Sequence, residues 1–176
     1  MDSDEPDQDI IIQISKSFEG IDVNLPRLKK LVKTTCNRLS KKNTTAEIKK
    51  YEISIAVVND TGFRELNSRY LGRKSTSDCL SFDLSDNEPG SSKLFEIVVN
   101  GEIAVKQANL RGHPAEAELA LYVTHGLLHN LGLDDSTGQK AKKMHDTEDE
   151  ILQQLGYGIV YNKSLSARGH KARMKK

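Results

Sequence analysis

Apolar residues recur along the chain with two periods, at alternate positions in some runs and every three or four positions in others, and the two periods predict different elements. Ile10-Ile-Ile-Gln-Ile-Ser15 is β-branched and flanked by polar residues, a strand pattern. Asn24 can cap a helix whose apolar stripe runs Leu25, Leu28, Val32, Cys36 and Leu39, with Pro26 tolerated in the first turn. The polar residues 41–50 predict a loop, and residues 51–58 alternate before turning wholly apolar, a second strand. Asn59, Asp60 and Thr61 offer caps to a short helix through Phe63, Leu66 and Tyr70. The turn-rich residues 72–77 lead into a short strand at 79–84, and residues 86–92 are loop by composition. Residues 96–105 read as one more strand, bent at Gly101. Two helices close the pattern: 114–131, with Leu119, Val123, Leu127 and Leu131 on one apolar face, and 137–155, ended by Gly156.

The order β-α-β-α-β-β-α-α mixes paired strands with helices, which predicts an α+β fold: a small single-domain sandwich of a mixed sheet with helices, not a doubly wound sheet. A chain of 176 residues can bury one core without disulfides or a structural metal, so a metal held here can serve chemistry. The expected division is a disordered acidic N-terminus over 1–9, one domain over 10–160 and a basic tail over 161–176. Lys and Arg number 26 against 25 Asp and Glu, and the net charge of +1 gives no global argument for a polyanionic partner. The distribution does: Met1 to Asp9 holds five acids and no base, whereas Lys163 to Lys176 holds six bases and no acid. A basic end of this kind can add affinity for phosphates. Cys36 and Cys79 match no CxxC pattern and read as reduced structural thiols. No apolar run approaches a membrane span, and the acidic start lacks the order of a secretory signal. A cytoplasmic location is the expectation.

The candidate chemistry lies at the end of the helix over 114–131. His125 and His129 stand four apart, about 40° around a helix of 3.6 residues per turn, so both imidazoles can converge on one ion. Gly132 can end the helix and reverse the chain, bringing Asp134 or Asp135 back beside them. HxxxHxxGxxD would then offer two nitrogens and a carboxylate oxygen, with a coordination position left open. The plainer reading is a helix end that happens to carry two histidines, with Asp135 a cap for the next turn. His145, Glu148 and Glu150 on the following helix are alternative third ligands; Asp135 is preferred, and His145, among Lys142, Lys143, Asp146 and Glu148, reads as solvent-facing. His113, before Pro114, reads as a loop residue. Zincin peptidases carry His-Glu-x-x-His, with the Glu as general base; that position is Gly126 here, which disfavours proteolysis.

His125-Gly-Leu-Leu-His-Asn-Leu-Gly-Leu-Asp-Asp135 resembles the His-Gly-x-Leu-His-Leu-x-Gly-Tyr-Asp-His signature of the YbeY proteins, single-domain metal-dependent endoribonucleases of ribosomal RNA maturation and ribosome quality control. Leu66-Asn-Ser-Arg-Tyr-Leu-Gly-Arg-Lys-Ser-Thr-Ser-Asp-Cys-Leu-Ser-Phe82 is similar to the family's Leu-Asn-x-x-Tyr-Arg-Gly-Lys-Asp-x-Pro-Thr-Asp-Val-Leu-Ser-Phe. Gly101-Glu-Ile and the closing Glu150-Ile-Leu-x-x-Leu-Gly-Tyr157 agree as well, so four ordered motifs cover residues 50–157. The resemblance implies a single-strand-specific endoribonuclease acting in small-subunit rRNA 3' end maturation. Its metal, zinc or another divalent ion, would be held by His125, His129 and Asp135, with Asp135 where the family has histidine. RNA and the ribosome or its small subunit are the implied partners, with neither DNA nor a membrane expected. The family's functional arginine falls at Leu71, so Arg73 is the catalytic candidate, with Lys74 and Arg69 as substrate-binding candidates. Asp78 and Ser81 match family positions and read equally well as a turn residue and a strand hydroxyl. The rivals are a catalytically weak metal-binding ribosome-associated factor, favoured by Leu71 and the basic tail, and a zincin-like metallopeptidase.

Overall fold

The computed structural model describes residues 9–40, 50–86, 88–158 and 160–161; the loop expected over 41–50 falls almost wholly outside them, as do residues 1–8 and 162–176 of the expected tails. The elements are β1 (Asp9–Lys16), α1 (Leu25–Ser40), β2 (Lys50–Val58), α2 (Asp60–Leu71), β3 (Cys79–Asp83), β4 (Lys93–Asn100), α3 (Gly101–Arg111), α4 (Ala115–Asn130) and α5 (Gly138–Gln154). The strands form one mixed sheet in the order β1-β2-β4-β3, and the α+β fold class holds. β1 and β2 are parallel with Ile12 beside Ile53, β2 and β4 are parallel with Ile55 beside Ile97, and β3 runs antiparallel to β4 with Cys79 beside Val99.

Alternation sets the buried face. Tyr51, Ile53, Ile55 and Val57 of β2 and Phe95, Ile97 and Val99 of β4 point to one side and are buried, each contributing on the order of 1.5–3 kcal/mol by leaving water. α1 covers them with Leu28, Leu31, Val32, Cys36 and Leu39; Leu25, expected in that stripe, lies in the first turn and is exposed. Asn24 caps α1, its side chain accepting the Arg27 N–H at 3.1 Å. For α4 the leucine spacing predicts a single apolar face. Instead the helix is buried on nearly every side, because β3, β4, α1, α3 and α5 all pack against it.

The strand expected over 96–105 is the main correction. The chain leaves the sheet at Asn100, and Gly101–Arg111 is a helix, α3, on which residues 101–105 form the first turns. Asn100 turns the chain: its side-chain oxygen accepts the Ile103 N–H at 3.1 Å, an N-cap that a continuous apolar run conceals. Cys36 and Cys79 are free thiols, and burial pushes Cys36 up to about 12.

Candidate metal centre

Local chain geometry brings the donors together. α4 ends in a Schellman turn: Leu133 N–H reaches Leu128 C=O and Gly132 N–H reaches His129 C=O, both at 3.0 Å, with Gly132 at φ 101°. A side chain at 132 would be strained in that conformation, and the reversal returns the acidic pair to the two histidines. The two acids then part company. Asp134 accepts from the Ser136 hydroxyl and N–H and from Lys140 Nζ, and these hydrogen bonds hold its carboxyl down at about 2. Asp135 faces the histidines, with one oxygen 3.9 Å from His125 Nε2 and the other 3.8 Å from His129 Nε2.

His125 Nε2 and His129 Nε2 are 3.1 Å apart. Donors bonded at about 2.0–2.2 Å to a tetrahedral ion stand about 3.3–3.6 Å from one another, so the triangle fits a metal after shifts of a few tenths of an ångström. His125, His129 and Asp135 are therefore a group able to hold an ion, and Asp135 is exposed on its outer side, which leaves that side open to a substrate.

Behind the triangle stands Glu148, fully buried on α5. Its two oxygens accept from His125 Nδ1 at 2.6 Å and from His145 Nδ1 at 2.8 Å. A carboxylate only accepts, so both Nδ1 atoms carry hydrogen, and in its neutral form His125 presents the Nε2 lone pair to the ion position. Burial opposes charge on both members of the pair, raising Glu148 and lowering His125. The hydrogen bonds and opposite charges outweigh it, leaving Glu148 below the usual carboxylate range and His125 above the usual imidazole range. His125, His145 and Glu148 are also close enough to hold an ion, but their separations are hydrogen-bond lengths and use both Glu148 oxygens.

His145 is not solvent-facing, as its charged neighbours suggest. Its ring stacks on Tyr161 at 3.5 Å and lies parallel to His125 at 6.1 Å. Glu148, in sequence an alternative third ligand, instead orients His125. The signal was present: Met144, Glu148, Ile151 and Leu152 form the buried stripe of α5, and a carboxylate inside such a stripe needs partners. His113 does lie in a loop, yet its side chain is buried against Glu118.

His125, His145 and Glu148 border a cleft of about 440 Å³, whose lining also includes Asp78, Arg111 and Tyr161. Arg69, Arg73 and Lys74 are exposed and stand outside that lining, on α2 and the segment after Gly72. Leu71 is the last residue of α2, also exposed. Ser81 lies on β3 beneath α4. At Gly126 an added Cβ would stand 2.8 Å from Cys79 Sγ and 3.2 Å from Ile97 Cγ2. The position where a zincin places its base thus points into the sheet, and no base fits there.

A family model described as Endoribonuclease YbeY matches residues 13–156. The chain is 33% identical over 130 residues to Endoribonuclease YbeY of Myxococcus xanthus, covering 72% of this chain and 44% of that protein. It is 35% identical over 136 residues to Endoribonuclease YbeY of Thermodesulfovibrio yellowstonii, covering 74% of this chain and 86% of that one. A solution structure of a Thermotoga maritima protein superposes with a TM-score of 0.52 at 23% identity, over 82% of this chain and 91% of that one, a likeness of fold.

Proposed function

The chain belongs to the Endoribonuclease YbeY family, and from that membership and the site geometry we propose that it is a metal-dependent endoribonuclease cutting single-stranded RNA. The proposal extends to ribosomal RNA processing at the 3' end of small-subunit rRNA and to ribosome quality control, with the small subunit as partner and the cytoplasm as location. The observation that carries the reading is the convergence of His125 Nε2, His129 Nε2 and the Asp135 carboxylate within 3.9 Å of one another, with His125 on the cleft wall.

Two imidazoles and a carboxylate suit zinc, and the carboxylate admits a harder divalent ion. Such an ion supplies Lewis acidity toward a phosphate oxygen and lowers the pKa of water. The protein's part is geometric and electrostatic. Glu148 fixes the tautomer and orientation of His125, and the exposed side of Asp135 admits the phosphodiester. Arg69 and Lys74 would meet backbone phosphates as the strand approaches, and Arg73 would offset the charge that builds up as the bond is cut. Leu71, apolar and exposed where the family carries arginine, favours a second reading, a ribosome-associated factor that binds metal and RNA but cuts slowly.

Purified protein of measured metal content, incubated with single-stranded and structured RNA and with casein, separates these readings. RNA cleavage that a chelator abolishes and His129→Ala removes is the expected result. Casein cleavage with RNA left intact overturns it, and RNA bound with full metal but left uncut selects the second reading.

A further inference from the structure

The face of α4 that carries the histidines continues toward its N-terminus. Glu118, Tyr122, His125 and His129 recur at intervals of four, three and four residues, so they share one side of the helix. Glu118 lies two turns from His125, about 10 Å along the axis. It is fully buried, and its oxygens are shared among partners: Arg111 Nη1 donates to Oε1 at 2.7 Å, His113 Nε2 meets Oε2, and the Tyr122 hydroxyl also bonds the carboxylate.

That division shapes Arg111. A guanidinium with a free carboxylate forms a two-point fork, but here the second oxygen is taken, so Arg111 is tied by one corner. A guanidinium has five N–H donors, and among the described residues the others of Arg111 have no hydrogen-bond partner. Its side chain is 21% exposed and lines the same cleft as His125. The buried anion orients the cation, while the cleft side of the guanidinium keeps its donors. Asp78 shares the cleft and repels an anion near it, which favours the Arg111 side for a phosphate.

We propose that Arg111 binds a backbone phosphate of the RNA strand next to the one being cut, setting the register of the strand in the cleft. The inference rests on the RNA reading of the site. Arg111 is tethered to Glu118, which sits two turns of α4 and about 10 Å along the axis from His125, so Arg111 is assigned to the neighbouring phosphate, with its effect on binding and not on the chemical step.

The test uses full-length protein and the variants Arg111→Met and Arg111→Lys, with thermal midpoints to verify folding. Binding of a labelled single-stranded RNA is measured in chelator, so that no cutting intervenes, across a series of salt concentrations. Arg111→Met is expected to weaken binding about tenfold and to flatten the slope of log affinity against log salt by about 0.7, the value for one phosphate of a single strand no longer neutralised. Arg111→Lys keeps the slope. With metal present, Arg111→Met raises KM for a longer RNA at unchanged kcat, and a dinucleotide, which has only the scissile phosphate, is cut equally by both. Unchanged affinity and slope in a folded Arg111→Met protein overturn the inference, as does an equal loss on the dinucleotide. A wild-type protein that binds RNA but does not cut it overturns the nuclease reading alone, since the binding arm still decides Arg111; one that does not bind RNA overturns both. Should Arg111→Met fail to fold, Arg111→Gln replaces it in the same measurements.

Discussion

Glu148 shows how much of a candidate metal site lies behind its donors. His125 can present Nε2 to an ion because Nδ1 is committed to a buried carboxylate, and a carboxamide of the same size offers that ring a weaker, neutral acceptor. Glu148→Gln should therefore lower metal affinity by about 10- to 100-fold, read by competition with a chromophoric chelator. Affinity equal to wild type would leave Glu148 a packing residue. Gly126 makes the opposite point, since its function is to have no side chain. Gly126→Ala should destabilise the protein by about 1–3 kcal/mol, because Cys79 and Ile97 must yield to the new methyl group. Denaturant midpoints measure that, and an unshifted midpoint would mean the sheet relaxes freely. The convergence of His125, His129 and Asp135 was legible in sequence, since helical spacing and a reversing glycine are local facts. The roles of Glu148 and His145 were not, because they depend on how α5 lies across α4.

Asn100 joins three elements at the point where sequence reading failed. As β4 ends it caps α3, and its amide nitrogen donates to Asp60 Oδ1 at 2.9 Å, to Thr76 Oγ1 at 3.1 Å and to the Ser77 carbonyl at 3.3 Å. Apolar residues on both sides of Asn100-Gly101 hid the change from strand to helix; the structure shows it because the cap is a hydrogen bond and not a pattern. Asp60 is the acidic member of this junction. Hydrogen bonds from Arg64 and Thr76, and then from Asn100, hold its carboxyl down from 3.8 to about 2. Since the folded form favours the carboxylate, the stabilisation is fully present above the unfolded value and fades as pH falls from about 4 to about 2. Asp60→Asn should remove that share of the acid sensitivity, so wild type loses more stability than the variant over this window. Urea midpoints across the window test it; parallel curves for the two proteins would contradict the assignment.

Across the whole sequence the charge balance is even, and what distinguishes the ends is their sign, acidic over 1–9 and basic over 163–176. Val160 and Tyr161 donate their N–H groups to Asp149 at 3.3 and 3.1 Å, and the Tyr161 ring stacks on His145 in the cleft wall. In the sequence the basic residues begin two positions later, at Lys163. Sequence composition showed the cations; that Tyr161, two positions before the first of them, stacks in the cleft wall depends on packing that composition does not carry. Deleting residues 164–176 removes Arg168, Lys171, Arg173, Lys175 and Lys176 while keeping the Asp149 hydrogen bonds and the stacking on His145. RNA affinity should then fall and its salt dependence flatten by about 0.7 for each phosphate that the tail neutralises, with the thermal midpoint unchanged. If these cations act on the same strand as Arg111, shortening the RNA should diminish the effect of the deletion. A deletion that leaves the slope intact would make these residues a solubilising end, and a weakening that persists undiminished on the shortest RNA would place the tail at the scissile phosphate itself.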